Sequence, residues 1–256
     1  MISTTPDPLN KVPAIALAFW VIKILSTTVG ETGADFLAVD VGWGQSRTSA
    51  LMGVLLAVAL VVQVRARRYV PWIYWLSVVL VSVVGTQITD LLTDGLGVSL
   101  YASSAAFAVA LGAIFACWYA TERTLSIHHI VTRRRELFYW AAILCTFALG
   151  TAVGDLATEA LGLGFSLGAA VFGSLIAITY VAWRLGADAV LTFWIAYILT
   201  RPFGASICDL LTQDRTYGGM GIGAMWTSAL FLTLIVTLVA RAQLLTRHSG
   251  PAVAGR

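Results

Sequence analysis

Charge is what this chain has least of. Asp, Glu, Lys and Arg make up only 11% of its 256 residues, against 59% hydrophobic, where a soluble domain carries about 25% charged residues. So few charges cannot coat a surface facing water. An ordinary soluble domain is excluded, and lipid is the natural solvent. Cysteine is nearly absent: Cys117, Cys145 and Cys208 fall in apolar segments, without the spacing of a metal site or a disulfide framework. No phosphate-binding loop, nucleophile elbow or HExxH pattern occurs, and no Cys/His cluster has soft-metal spacing. No enzyme is expected, no organic cofactor and no nucleic-acid partner.

What fills the chain instead is apolar windows of the ~20 residues needed to cross a bilayer. Between charged or Gly-rich breaks they give spans near 13–38, 48–64, 70–94, 99–120, 137–160, 166–184, 189–212 and 219–240. The first contains Lys23 and is too long and interrupted for a signal-peptide core, so it is read as an uncleaved span. Of the 16 Lys and Arg, 12 lie with the termini and even-numbered loops: Lys11, Arg65, Arg67, Arg68, Arg123, Arg133, Arg134, Arg135, Arg184, Arg241, Arg247 and Arg256. Only Arg47 and Arg215 lie on the other face, while Lys23 and Arg201 are inside spans. Basic loops resist translocation, so both termini are expected in the cytoplasm. Binding of anionic lipid head groups is compatible with the same arginines.

The spans come from one repeated unit. Anchored on Gly30, Gly85, Gly150 and Gly204, a tryptophan stands ten residues earlier each time (Trp20, Trp75, Trp140, Trp194), preceded by Phe19, Tyr74, Tyr139 or Phe193. An aspartate stands five residues later: Asp35, Asp90, Asp155 and Asp209. Self-similarity of this kind decides architecture before any local motif. With two spans per unit, the copies insert in the same orientation, as parallel repeats. The expected fold is an all-α integral membrane protein: eight transmembrane helices, four parallel tandem helical-hairpin repeats, a pseudo-symmetric bundle. It forms a single transmembrane domain over 1–256, with repeats at approximately 13–64, 70–120, 137–184 and 189–241.

These tryptophans, together with the stretch Thr27-Thr28-Val29-Gly30-Glu31-Thr32-Gly33-Ala34-Asp35, resemble a bacterial family of membrane-anchored proteins built on a tandem repeat of unknown function. The resemblance covers essentially the whole chain. It implies four repeats of two transmembrane regions each, in a bacterial inner (cytoplasmic) membrane, and brings no activity with it.

Function must therefore come from the residues. At 100° per residue, Trp20, Lys23, Thr27, Glu31 and Asp35 fall within about 60° of one helix line. A charged side chain at the bilayer centre costs at least ~2.5–3.5 kcal/mol, so this stripe must face other helices or water. Equivalent rows hold Ser82, Thr86 and Asp90; Phe147, Thr151 and Asp155; and Tyr197, Arg201, Ala205 and Asp209. Gly permits close helix approach, and Trp either anchors at an interface or packs between repeats. Lys23, Glu31, Tyr197 and Arg201 break the repeat, which a shared fold does not require. Lys23 is placed to pair with Glu31 or an aspartate. Asp90 lies 22 residues past Arg68, roughly 33 Å along a helix, which puts the aspartates at the outer edge of the hydrocarbon layer.

The expected activity is transport of a small cation: a divalent metal such as manganese or magnesium, or protons. Carboxylates and hydroxyls are hard oxygen ligands, and the metal would enter as substrate. Expected binding residues are Lys23, Thr27, Glu31, Asp35, Thr86, Asp90, Thr151, Asp155, Tyr197, Arg201 and Asp209, with Glu31 and the four aspartates touching the metal. The alternatives are a carrier of a small anionic or organic solute held by Lys23 and Arg201, and a structural membrane protein without transport. The expected partners are the lipid bilayer and the solute, and homo-oligomerisation is left open.

Overall fold

A computed structural model describes residues 10–35 and 41–248. Among them are eight α-helices: α1 (Leu17–Asp35), α2 (Gln45–Arg65), α3 (Pro71–Asp90), α4 (Leu100–Glu122), α5 (Arg133–Asp155), α6 (Gly164–Arg184), α7 (Ala189–Thr212) and α8 (Ala224–His248). Local chemistry starts several of them. Pro71 occupies the first turn of α3, where its missing N–H costs nothing. Ser99, Thr132 and Asp188 accept hydrogen bonds from Ala102 N, Arg135 N and Leu191 N at 3.3, 3.3 and 2.8 Å, capping α4, α5 and α7. Seven of the helices, α2 to α8, are long and apolar enough to cross a membrane. The helix outside that set, α1, carries Lys23, Glu31 and Asp35 within 19 residues.

The odd-numbered helices close a ring: α1 packs on α3, α3 on α5, α5 on α7, and α7 on α1. Each even-numbered helix then packs outside, on the odd-numbered helix of the following repeat, with α8 returning to α1. Burial follows this division. Of the apolar windows, 67% of α5 but 17% of α4 is buried. An outer helix that is apolar all round and mostly exposed is a lipid-facing helix.

Two sets of contacts show that the ring helices run parallel. At one level, Phe19 meets Trp75, Tyr74 meets Trp140, Tyr139 meets Trp194, and Phe193 meets Trp20, with ring centroids 5.6, 5.5, 6.4 and 5.7 Å apart. Each pair also touches within its own repeat, so eight rings form an unbroken belt. The tryptophans thus pack between repeats. About three turns on, Gly30 lies against Ser82, Gly85 against Phe147, Gly150 against Arg201, and Gly204 against Thr27. Every glycine meets the residue three before the next repeat's glycine.

The loop ends differ from expectation in instructive ways. Wide i→i+5 turns follow Asp90 and Asp155, spanning Leu91–Gly95 and Leu156–Ala160. The chain then folds back, Val98 N donating to Leu92 O and Leu163 N to Ala157 O at 2.9 and 3.2 Å. In the fourth repeat, Met220 N and Ile222 N reach back to Leu210 O and Leu211 O at 2.7 and 3.0 Å. Gly221 and Gly223 adopt positive φ there, which delays α8 to Ala224 rather than the expected 219. These bonds satisfy terminal carbonyls that the helices leave open.

Lys11, counted among the cytoplasmic charges, is a buried tie. Its Nζ donates to Glu136 Oε2 at 2.6 Å and Val64 O at 3.0 Å, and Gln63 Nε2 donates to Glu136 Oε1 at 3.2 Å. Asn10 bonds Ile127 O and Ile130 N beside it. Removing one partner of a buried pair costs about 3–5 kcal/mol, while replacing both by apolar groups is often near neutral. Glu136→Ala should therefore lower the unfolding temperature of detergent-purified protein well below that of the double variant Lys11→Met, Glu136→Leu. Equal unfolding temperatures would remove the pair's role.

Candidate functional site

The polar stripe of α1 and its counterparts meet at the axis of the ring. Arg201 stands at the centre, fully buried. Its Nη1 donates to Glu31 Oε2 at 2.7 Å, while its Nη2 donates to Thr151 Oγ1 at 2.8 Å and to Thr86 Oγ1. Glu31, Thr86 and Thr151 occupy the same repeat position, one residue after the glycine. The fourth helix has Ala205 there and supplies the arginine from a turn earlier. One guanidinium thus joins all four ring helices, which its planar fork of five donors makes possible. Helix α7 runs through Pro202, whose ring lies against Gly150 and Gly154.

Lys23 lies one level below and is also buried. It does not pair with Glu31, because Arg201 from the neighbouring helix takes that carboxylate. Its Nζ donates to Thr200 Oγ1 at 2.6 Å and sits 4.0 and 5.0 Å from the ring centroids of Tyr197 and Phe147. No ion pair among the described residues includes it. Thr27, next along the stripe, donates to Lys23 O at 3.2 Å and accepts Ser82 at its own carbonyl at 3.4 Å. Its hydroxyl is tied back within α1, and its backbone carbonyl closes the contact to α3.

On the other side of Arg201 the carboxylates open toward the Gly-rich loops. Asp155 is half-buried and within electrostatic reach of Glu31, Asp90, Glu159 and Arg201. Asp90 and Asp209 are half-buried too. The side chain of Asp35 lies outside the described residues. Beyond them stand exposed Asp94 and Glu159, in reach of one another. Among the described residues, no three Asp, Glu, His or Cys side chains come close enough together to hold a metal ion. Of the five carboxylates expected as metal ligands (Glu31, Asp35, Asp90, Asp155 and Asp209), Glu31 is the one paired with Arg201.

The structure therefore brings together Lys23, Thr27, Glu31, Thr86, Asp90, Thr151, Asp155, Tyr197 and Arg201. It adds Thr200, Asp94 and Glu159. The two acids carried a signal, since both stand nine residues after their repeat's glycine. Thr200 lies one position off the stripe and carried none.

All four copies of the unit match the family model described as a repeat of unknown function (DUF347), over residues 18–69, 73–124, 138–186 and 192–249. The chain belongs to that family. No curated protein and no solved structure matches it. The repeat thus accounts for the belt and the glycine contacts, which recur in every copy. Lys23, Glu31 and Arg201 are single occurrences that the repeat does not require.

Proposed function

We propose that this protein is a transporter for a small cation, with the Glu31–Arg201 pair as its gate. In this reading the ring is a pseudo-four-fold bundle of eight spans in a bacterial inner membrane, α1 held upright by its neighbours, with both termini cytoplasmic. The observation that carries it is a guanidinium buried on the common axis, directly beneath a graded set of carboxylates. Acidic groups in a low-dielectric cleft concentrate cations. Arg201 is then a tethered cation at the point where the entering one must bind. A small divalent ion or proton arriving at Glu31 and Asp155 competes with Arg201, and displacing it loosens a contact to all four helices.

A second reading has one observation in its favour. Lys23 has a hydroxyl and two aromatic faces but no carboxylate, which suits an anionic or organic solute. Proteoliposomes separate the two. Loaded with a metal-sensitive dye, they should take up Mn²⁺ or Mg²⁺, and Glu31→Gln should cut uptake by about tenfold or more, since a charged hydrogen bond is worth about 1.5–3 kcal/mol and tenfold is about 1.4. Uptake no faster than in empty liposomes would overturn the cation reading. Binding of an organic anion, abolished by Lys23→Met and untouched by Glu31→Gln, would establish the second.

A further inference from the structure

Below Lys23 the axis is shut. Phe19, Tyr74, Tyr139 and Phe193 converge there, all buried, and the tryptophans brace them from outside. A metal ion cannot pass the belt unless it opens. A proton can, because it is handed between groups and needs no channel of its own width.

Hydroxyls line that closed stretch. Tyr74 Oη and Tyr139 Oη are 2.5 Å apart. Tyr197, one turn above the belt on α7, holds its ring 5.5 Å from Phe193 and 6.3 Å from Phe19. Its Oη is buried without a hydrogen-bond partner, in electrostatic reach of Tyr139 and Tyr74. Buried hydroxyls are normally satisfied, so an unpartnered one at a bilayer's depth asks for a role. Above it stands Lys23, 4.0 Å from its ring. Beyond Tyr74 comes Tyr69, ring centroids 5.7 Å apart, half-buried in the basic loop two residues before α3.

We propose that Lys23, Tyr197, Tyr139, Tyr74 and Tyr69 form a proton relay through the sealed half of the axis, making the proton the ion coupled to transport. The proposal rests on the cation reading above for what the proton is exchanged against. Each step is balanced. The Lys23 ammonium gives a proton to a lone pair of Tyr197 Oη as the Tyr197 hydroxyl gives its own to Tyr139. Tyr139 passes one to Tyr74, and Tyr74 one to Tyr69 and solvent. Every hydroxyl gains one proton and loses one, rotation about each C–O bond resets the chain, and Lys23, left as the free amine, takes its next proton from the carboxylate side once Arg201 has moved off Glu31. Arg201, the other charge facing Lys23, cannot share in this because guanidinium does not deprotonate in proteins. It separates the relay from the carboxylate entrance. Exchange is thus tied to the movement that lifts Arg201 off Glu31.

The test uses full-length protein in proteoliposomes holding a pH-sensitive dye, with a Mn²⁺ gradient applied. Wild type should move protons against Mn²⁺, more slowly in D₂O. Tyr197→Phe and Tyr139→Phe should each cut proton movement by about a hundredfold, the lower part of what a positioned proton-transfer group contributes. Tyr101→Phe, at an exposed tyrosine outside the relay, should leave it unchanged. If Tyr139→Phe does not fold, Tyr197→Phe still decides, because that hydroxyl has no hydrogen bond to lose. Undiminished proton movement in a folded Tyr197→Phe protein overturns the relay. Mn²⁺ flux in wild type with no proton movement also overturns it and leaves the cation reading standing. Proton movement without Mn²⁺ flux supports the relay and removes the metal cargo, and the absence of both overturns relay and cargo together.

Discussion

Arg201→Met should destabilise this protein more than any other single change of a polar side chain. The methionine fills much of the same volume, so packing survives. What is lost is the bond to Glu31 at 2.7 Å and those to Thr151 and Thr86. Glu31, with 13% of its side chain exposed, is left as a largely buried carboxylate without a counter-charge. Breaking such a pair from one side costs about 3–5 kcal/mol. At about 2–4 °C per kcal/mol for a chain of this size, the unfolding temperature should fall by roughly 10 °C. Adding Glu31→Gln should restore part of that loss, because the stranded charge is gone. Arg201→Lys should not rescue, since an ammonium is a point charge and cannot span three acceptors on three helices. Thermal unfolding in detergent reads all three. An Arg201→Met protein that unfolds with wild type would mean that the guanidinium does not hold the ring together.

That expectation could not have been written from the sequence, and the reason is geometric. The stripe on α1 showed that Lys23 and Glu31 face inward, because lipid could not receive them. It also showed that they stand two turns apart, which suggested a pair. Which cation reaches Glu31 depends on α7 lying beside α1, a closure between the first and last repeats. Arg201 is 170 positions from Glu31. Once the ring is closed, the fork on α7 lies across the axis at the level of Glu31, and Lys23 is left to Thr200. The repeat itself was fully legible, down to the tryptophan and glycine positions, because four copies supply their own comparison. What the copies do not share had no such support. The Tyr74–Tyr139 contact is a case in point. All four repeats put an aromatic residue before the tryptophan, and only which two carry hydroxyls hinted that the belt is not uniform.

The ring glycines should be the most demanding positions in the chain, and they admit a sharp comparison. A methyl group added at Gly150 would stand 2.3 Å from Arg201 Cγ and 2.5 Å from its Cβ, and one at Gly30 would stand 2.2 Å from Ser82 Oγ and 2.5 Å from its Cβ. At Gly85 and Gly204 the nearest atoms are Phe147 Cβ and Thr27 Cγ2, both 2.7 Å away. At each of the four sites a Cβ of the neighbouring helix stands within 2.9 Å, and no rotamer change moves a Cβ, so the helices must move apart. Overpacking typically costs 1–3 kcal/mol, occasionally more. At Gly150 the displaced group is Arg201, so the hydrogen bonds to Glu31 and both threonines are lost with it. Gly150→Ala should therefore fail to yield folded protein, or should unfold at least as early as Arg201→Met. Gly33 is the control: it sits in the same helix as Gly30, with nothing within 4 Å of an added Cβ. Alanine there should be neutral or stabilising by about 0.5–1 kcal/mol, the helix-propensity gain over glycine. The same substitution three residues apart on α1 should thus act in opposite directions. Chain stiffness alone predicts stabilisation at both sites, so only the close approach of neighbouring ring helices can make Gly30→Ala harmful.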